Sequence, residues 1–274
     1  MIEAPIPRST LLRLQRAELH LGSLREEITS YSRNRVRGRG ERPSKPYRLV
    51  RKQNPERSGD DLVFEVIEPL PDTVPLLASE IVHHLRSALD NLIYHLAGDP
   101  PLTRYSSLQF PLFGESPADR SQARLYEKIL LGVGEDAKGI VDDLQPHVLL
   151  GGDEVSRASA NRLLQLADLS NIDKHRVLPI ALAHRVTTTV GSMDPGPDPF
   201  ATGTRLINFQ MLKHNTVVQE CIPDDAPTDH DVFCDVVVDD GWPDRVAGQS
   251  LWLMLSGILL TLQTFVIPRF ETLT

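Results

Sequence analysis

The sequence predicts an α+β fold in which a bundle of four helices carries an appended antiparallel β-sheet. Apolar residues recur at helical spacing in two long segments, and two further segments, 155–170 and 245–268, are partly or largely apolar. Two other segments are rich in Val, Ile and Thr and are divided by Pro and Gly, which is typical of strands and turns. With 274 residues, 41% of them hydrophobic, the chain can form one core, and we expect a single domain, 1–274. The predicted helices are 8–33, 74–97, 155–170 and 245–268, and the predicted β-layer comprises 47–67 and 177–239.

The first predicted helix, 8–33, has a narrow apolar seam. Residues along it step by three and four positions, through Leu14, Ala17, Leu21, Leu24, Ile28 and Tyr31. Such a seam suits lengthwise packing on another helix, and Ser9 or Thr10 is placed to cap the start of this one. The seam, or another face of the bundle, predicts a homodimer.

The chain between the first helix and the first strand is strongly basic. From Arg33 to Lys52 there are nine basic residues and one acidic residue, although the whole chain has a net charge of −8. Three of these residues, Arg35, Arg37 and Arg39, are predicted to guide an anionic ligand such as RNA. An ordinary solvated loop is the alternative. The net negative charge of the whole chain argues against nonspecific binding along nucleic acid.

A β-hairpin is predicted next, with strands Tyr47–Lys52 and Leu62–Ile67 joined by a turn at 54–59. Beyond the helix 74–97, the segment 102–115 is predicted to be extended, with 108–113 as a buried anchor. Two shorter helices are predicted after it, at 117–130 and 134–144.

The helix 74–97 has one apolar side and one side that can do chemistry. His83, Arg86, Asp90 and Tyr94 gather on the polar arc, and His84, Asn91 and His95 lie along its border. Arg86 and Asp90 are four residues apart and can pair, which would aim the guanidinium at a phosphate or carboxylate. A neighbouring histidine could then carry a proton. The plain alternative is an ordinary ion pair within one helix.

A second polar cluster follows the helix 155–170. Asn171, Asp173, Lys174 and His175 bring an amide, a carboxylate, an ammonium and an imidazole into a few residues. If this turn packs on the helix 74–97, Arg86 and His175 converge in one site. Helix capping is the alternative, with Asn171 in the left-handed position and Lys174 and His175 at the negative end of the helix dipole.

The last third of the chain predicts about four antiparallel strands, within 177–190, 205–213, 216–222 and 232–239, and a final helix. The uncharged run 246–268 is long enough to span a bilayer, but Gln, Ser and Thr interrupt it, so a buried core helix is favoured. The first residues contain no apolar leader, and we expect a cytoplasmic protein without a membrane segment.

Three stretches resemble a group of uncharacterised bacterial proteins: HLRSALDN from His84, FPLF from Phe110 and NIDKHR from Asn171. The arginine followed by a polar residue is also similar to the motif of the HEPN superfamily, helical-bundle proteins that include RNA-cleaving toxins and defence factors. This resemblance implies that Arg86 contacts phosphate and that Ser87 is the polar residue. Asn91 stands where the motif places a histidine, so a site of this type would be inactive or would use His83, His84 or His175.

The predicted function is therefore an HEPN-like RNA-binding protein or a metal-independent ribonuclease, in a toxin or phage-defence setting. Whether the protein is an enzyme stays open at this point. The predicted catalytic residues are Arg86, His83, His84, Asp90, Asn91 and His175, and the predicted substrate-binding residues are Lys174, Asn171, Asp173, Arg35, Arg37 and Arg39. No metal and no cofactor is expected. The alternatives are a scaffold whose basic loop docks an acidic protein partner and, more weakly, a metal-dependent hydrolase.

Overall fold

A computed structural model of the chain has the predicted α+β character, with long helices and small antiparallel sheets. The structure describes residues 6–33, 46–56, 59–98, 108–174, 178, 180–185, 187–189, 204–206, 210–211, 215–222, 233–239 and 241–273.

The structure has the predicted helices, close to the predicted bounds with one exception, and an unpredicted short helix at Pro146–Leu149. They are α1 Arg8–Arg33, α2 Thr73–Leu96, α3 Arg120–Ile129, α4 Glu135–Asp143, α5 Pro146–Leu149, α6 Glu154–Asp173, α7 Leu251–Thr261 and α8 Ile267–Phe270, with a π-helical stretch, Leu262–Val266, joining the last two. The final helix was predicted from residue 245 but begins at Leu251. The chain before it makes a turn through Gly248, whose φ is 68°, and Ser250 forms a bridge to Val237, so these residues cannot be helical.

The core lies between the long helices. Helix α1 packs on α2 and α7, and both of those also contact α6. The seam of α1 is buried against this core, so it is not available to a second copy of the chain. Thr10 is part of the same interface: its Oγ1 donates to the Ala88 carbonyl oxygen at 3.2 Å, inside a helix that has already begun at Arg8. The prediction that Thr10 caps α1 is therefore wrong.

The predicted hairpin is confirmed as β1 Tyr47–Gln53 and β2 Asp60–Val66, paired antiparallel. In the described residues, the later strands are divided among more than one sheet. Strand β7, Thr216–Ile222, pairs with β2 and completes a three-stranded sheet. Elsewhere β3 Ile180–Arg185 lies between β6 Gln210–Met211 and β8 Phe233–Val238, and β4 Thr187–Thr189 pairs with β5 Thr204–Leu206. Local sequence indicates strands but not their partners, which is why the pairing of β7 with the hairpin was not predicted.

The continuous helix Leu251–Phe270 is apolar and long enough to cross a membrane, but it is placed as a core helix. Its side chains Leu255, Ile258, Leu262 and Val266 are fully buried, and it contacts α1, α2 and α6. A buried helix passes the same composition test as a membrane span, so this helix is weak evidence for one.

Candidate functional site

The extended segment 108–113 passes beside α2 without joining a sheet, and side chains bond its backbone instead. The Phe110 N–H donates to Asp90 Oδ1 at 2.8 Å, and Arg86 Nη2 donates to the Phe110 carbonyl oxygen at 2.7 Å. Arg86 and Asp90 also form an ion pair at 3.2 Å. The two side chains thus satisfy both polar groups of one residue, and we call them the Phe110 clamp.

The other end of the segment is fixed by a side chain that follows α4. Gln145, which is only 2% exposed, donates through Nε2 to the Pro111 carbonyl oxygen at 3.1 Å and accepts from the Phe113 N–H at 3.2 Å. The Phe113 carbonyl oxygen accepts from the backbone N–H of His147 at 3.3 Å. The Phe110 ring is buried, with its edge toward Phe270 at a centroid separation of 6.5 Å. The segment is therefore a fixed wall.

A cleft of about 250 Å³ opens between this segment, α3, α6 and the Arg86 side of α2, and we call it the α2–α6 cleft. Its polar part is formed by Arg86, Ser170, Asn171 and Lys174. Its apolar part is formed by Leu112, Phe113, Leu125, Ile129 and neighbouring residues. The cleft can therefore hold a ligand that is anionic at one end and apolar at the other.

The charges of Arg86 and Lys174 at the polar end of the cleft act on the carboxyl group of Asp90. Burial raises the pKa of Asp90 above its ordinary value, and this rise is opposed by the Arg86 guanidinium, by the Phe110 N–H and by the Lys174 ammonium. Lys174 therefore lies close enough to act on the clamp. The side chain of Arg86 is 12% exposed, and its charge is shared with Asp90, whereas Lys174 is exposed at the rim.

The structure brings together parts of the two polar clusters that the sequence indicated. Asn171 and Lys174 reach the same cleft as Arg86, although more than eighty residues separate them along the chain. Asn171 is helical, because α6 continues to Asp173 and its C-cap residue is Lys174 with φ −60°, so the left-handed capping role predicted for Asn171 is wrong. Asp173 is half-buried in the last turn and does not line the cleft. His175 lies outside the described residues.

Neither His83 nor His84 lines the α2–α6 cleft. His84 lies two residues before Arg86, about 200° around the helix, and so faces α1. Its Nδ1 accepts from Arg13 Nη1 at 3.2 Å, and its ring stacks on His20 with the centroids 5.5 Å apart. His83 is exposed, and its ring lies beside His84 and the Ser87 hydroxyl. His83 lies three residues before Arg86 and on the same side of α2, so its role as a proton carrier beside Arg86 stays a prediction.

The surroundings of His84 favour the neutral form of its ring. Burial, followed by the positive charge of Arg13 and by His20, His83 and Arg16, lowers the pKa of His84 below its ordinary value. Because an arginine can only donate, the hydrogen bond to Arg13 requires an unprotonated Nδ1. This histidine is a neutral group between two helices.

The remaining predicted residues have little connection to the cleft in the described chain. Asn91 is half-buried on α2 and does not line it. Arg35, Arg37 and Arg39 lie outside the described residues. At the described end of the basic stretch, Arg48 and Lys52 both pair with Glu65, at 3.1 and 3.0 Å, and these contacts, Lys52 first, lower the pKa of that carboxyl. Part of the positive charge is thus neutralised within the β1–β2 hairpin.

Sequence reasoning missed two residues of this region, Gln145 and Ser170. Each is a buried polar side chain next to apolar neighbours, and a polar residue at a core position is the one signal that could have found them. Across the described ranges, no three His, Cys, Asp or Glu side chains are grouped closely enough to hold a metal ion.

Comparison with known proteins finds no match: no family model fits the sequence, and no curated protein or solved structure is measurably similar to it. The resemblance to HEPN proteins therefore rests on the motif residues alone, and function has to be argued from the cleft.

Proposed function

We propose that the protein binds single-stranded RNA and holds one nucleotide in the α2–α6 cleft. The observation that carries the proposal is the division of the cleft into a cationic wall and an apolar wall. Lys174 and Asn171 supply an ammonium and an amide for a phosphate, and Phe113 with Leu112 supplies an apolar surface for a base. Stacking and phosphate contact together are the usual means of binding single strands.

In this proposal Lys174, not Arg86, is the main phosphate contact. Arg86 Nη2 already donates to the Phe110 carbonyl oxygen and pairs with Asp90, so its charge is largely used within the protein. Lys174 is exposed at the rim, and among the described residues it has no ion-pair partner. Arg86 then acts as a positioning residue that fixes the wall on which the base lies.

The RNA part of the proposal is supported by the helices as well as by the cleft. The mutual contacts of α1, α2, α6 and α7 are compatible with an HEPN-like bundle, and the Arg86-Ser87 pair lies on one of its helices. A toxin or phage-defence setting belongs to the same resemblance. A homodimer in the cytoplasm stays part of the proposal, with an interface other than the buried seam of α1.

Cleavage of the bound RNA would extend this proposal from binding to a metal-independent ribonuclease. Attack by the ribose 2′-hydroxyl on the neighbouring phosphate needs a proton carrier, and an imidazole is the usual one. None of the histidines in the described part of the chain lines the cleft. His175 directly follows Lys174 in sequence, and it is the residue on which such an activity would depend.

A second candidate is a non-catalytic scaffold, and the Phe110 clamp is the observation that favours it. The conspicuous charged pair of α2 has a complete structural role, holding both backbone groups of Phe110. In this case the polar groups fix the segment 108–113, and the protein docks an acidic partner through its basic stretch.

The deciding experiment measures binding of fluorescently labelled single-stranded RNA by anisotropy over a range of salt concentrations. We expect Lys174→Gln to weaken RNA binding about tenfold. The slope of log affinity against log salt concentration should become shallower by about one, because one phosphate contact is lost. Lys138→Gln is the matched control, because Lys138 pairs with Glu135 on α4 and does not line the cleft.

If Lys174→Gln binds RNA as tightly as the original protein, RNA binding in this cleft is refuted, and the scaffold remains. Cleavage products that disappear with His175→Ala would establish the ribonuclease. Binding without cleavage would limit the function to RNA binding.

A further inference from the structure

A second cleft lies on the opposite side of α6, with a volume of about 330 Å³. Among the described residues, its lining contains two guanidinium groups, three amides and no carboxylate: Ala158, Asn161, Arg162, Gln165, Arg245 and Gln249. At 100° per residue, the α6 positions in this cleft point about 180° away from those in the α2–α6 cleft. The two clefts are therefore separate, and we call the second one the Arg162 cleft.

Arg162 is a half-buried cation with a neutral partner. Its Nη1 donates to Gln165 Oε1 at 2.9 Å, and within the described residues it forms no ion pair. Gln165 is only 7% exposed and is itself held, since its Nε2 donates to the Arg245 carbonyl oxygen at 2.9 Å. A guanidinium has five N–H donors, and most of those on Arg162 are left for a ligand.

A glycine on the facing helix lets the Arg162 guanidinium lie close to the backbone of α7. A Cβ added at Gly257 would stand 2.6 Å from Arg162 Nε and 2.8 Å from Cζ, nearer than atoms can approach. Glycine weakens a helix interior, so its presence in the middle of α7 has a reason in this contact. Gly257 and Gln165 together fix the direction of the guanidinium.

Arg245 provides the second positive charge of the cleft. Its Nη1 pairs with Asp168 at 3.3 Å, and its side chain is 51% exposed, so its other donors face solvent. Asn161 and Gln249 add neutral amides beside the two guanidinium groups. An arginine fork matches the spacing of phosphate oxygens, and Asp168 already balances part of the Arg245 charge, so Arg162 is the cation that an anion would meet first.

We propose that the Arg162 cleft binds the phosphate group of a small phosphate monoester. Arg162 is the principal ligand, and Arg245, Asn161 and Gln249 complete the donor set. The site is independent of the RNA proposed for the α2–α6 cleft, because it shares no lining residue with it.

The test uses the intact chain and inorganic phosphate as the probe, with binding measured by calorimetry. Arg162→Gln removes the charge, whereas Gly257→Ala keeps the charge and displaces it. Gly257→Ala also improves the helix, so its melting temperature should not fall. Arg157→Gln is the control, since Arg157 lies on α6 outside the cleft and donates to the Gly152 carbonyl oxygen.

We expect phosphate to bind the original protein and Arg157→Gln alike, and to bind Arg162→Gln and Gly257→Ala at least about tenfold more weakly. Lys174→Gln should bind phosphate as tightly as the original protein does, whether or not the RNA proposal holds. No binding to the original protein, or equal binding to all variants, would overturn the site. If Arg162→Gln lost RNA affinity to the same extent as phosphate affinity, the assignment of the Arg162 cleft to a small ligand would be overturned.

Discussion

Two arginines on neighbouring helices show opposite uses of the same side chain. Arg86 stands in a conspicuous polar run, yet its guanidinium is bound to Asp90 and to the backbone of Phe110. Arg162 stands in no motif, yet its guanidinium is held by an amide and a glycine and has no acidic partner among the described residues. A charged residue within a sequence motif can therefore have a structural role. A charged residue that is open to a ligand is identified from the residues that surround it in the structure.

The largest expected effect is on stability, when the Phe110 clamp is broken. Arg86→Ala leaves the Asp90 carboxylate and the Phe110 carbonyl oxygen without their partner, and we expect the free energy of unfolding to fall by about 3 kcal/mol. Urea denaturation measures it. Lys138→Ala, which breaks an exposed pair within α4, should change stability by less than about 0.5 kcal/mol. An Arg86→Ala protein as stable as the original would contradict the clamp.

A smaller loss is expected at the other end of the segment. Gln145→Ala removes bonds to the Pro111 carbonyl oxygen, the Val141 carbonyl oxygen and the Phe113 N–H, and leaves these buried groups unpaired. We expect a loss of about 2 kcal/mol, together with faster hydrogen exchange at the Phe113 amide. Unchanged exchange would show that Gln145 does not fix the segment.

A pH effect is expected from His84, on the other side of α2 from the clamp. Its pKa is lower in the folded chain than its ordinary value of 6.5, so the unfolded chain binds the proton more readily. The stability present above pH 6.5 should therefore decline as pH falls through that value toward the folded pKa. The groups facing His84 are Arg13, Arg16, His20 and His83, and Glu80 pairs with His20.

Melting temperatures at pH 7.5 and 5.5 measure this effect. His84→Gln keeps an acceptor for Arg13 and cannot titrate, so it should flatten the decline. An equally steep decline in His84→Gln would assign the pH dependence to another group.

The smallest expected effect sharpens the contrast between the two arginines. Arg162→Gln leaves no carboxylate unpaired, so we expect it to change the free energy of unfolding by less than about 0.5 kcal/mol. The same urea titration used for Arg86→Ala measures it. A loss as large as that of Arg86→Ala would mean that Arg162 is a structural residue, and that the Arg162 cleft is not built for a ligand.

The parts of the fold that sequence predicts are those set by local periodicity. The steps of three and four place α1, α2 and α6 within a few residues, and the turn at 54–59 places the β1–β2 hairpin. Pairing between distant segments has no local signal. The association of β7 with β2 belongs to this class, as does the dependence of the segment 108–113 on Gln145.

The candidate site shows the same boundary between local and distant information. Helical spacing correctly placed Arg86 beside Asp90, and the polar cluster after α6 did reach the same cleft through Lys174. Spacing could not show that the backbone carbonyl oxygen and N–H of Phe110 would bond to the side chains of Arg86 and Asp90. It also gave no reason to select Arg162, because the feature that matters there is the missing side chain of Gly257 on another helix.

The π-helical stretch Leu262–Val266 has a consequence for the orientation of the C-terminus. A π turn holds one more residue than an α turn, so every side chain after it is rotated by about 100° relative to an uninterrupted α-helix. Phe270, which follows this stretch, packs edge-to-face with Phe110 at a centroid separation of 6.5 Å. Deleting the exposed Gln263 would turn the side chains that follow it by about 100° and carry Phe270 away from Phe110, so a change at the surface of this helix would remove the support under a distant wall.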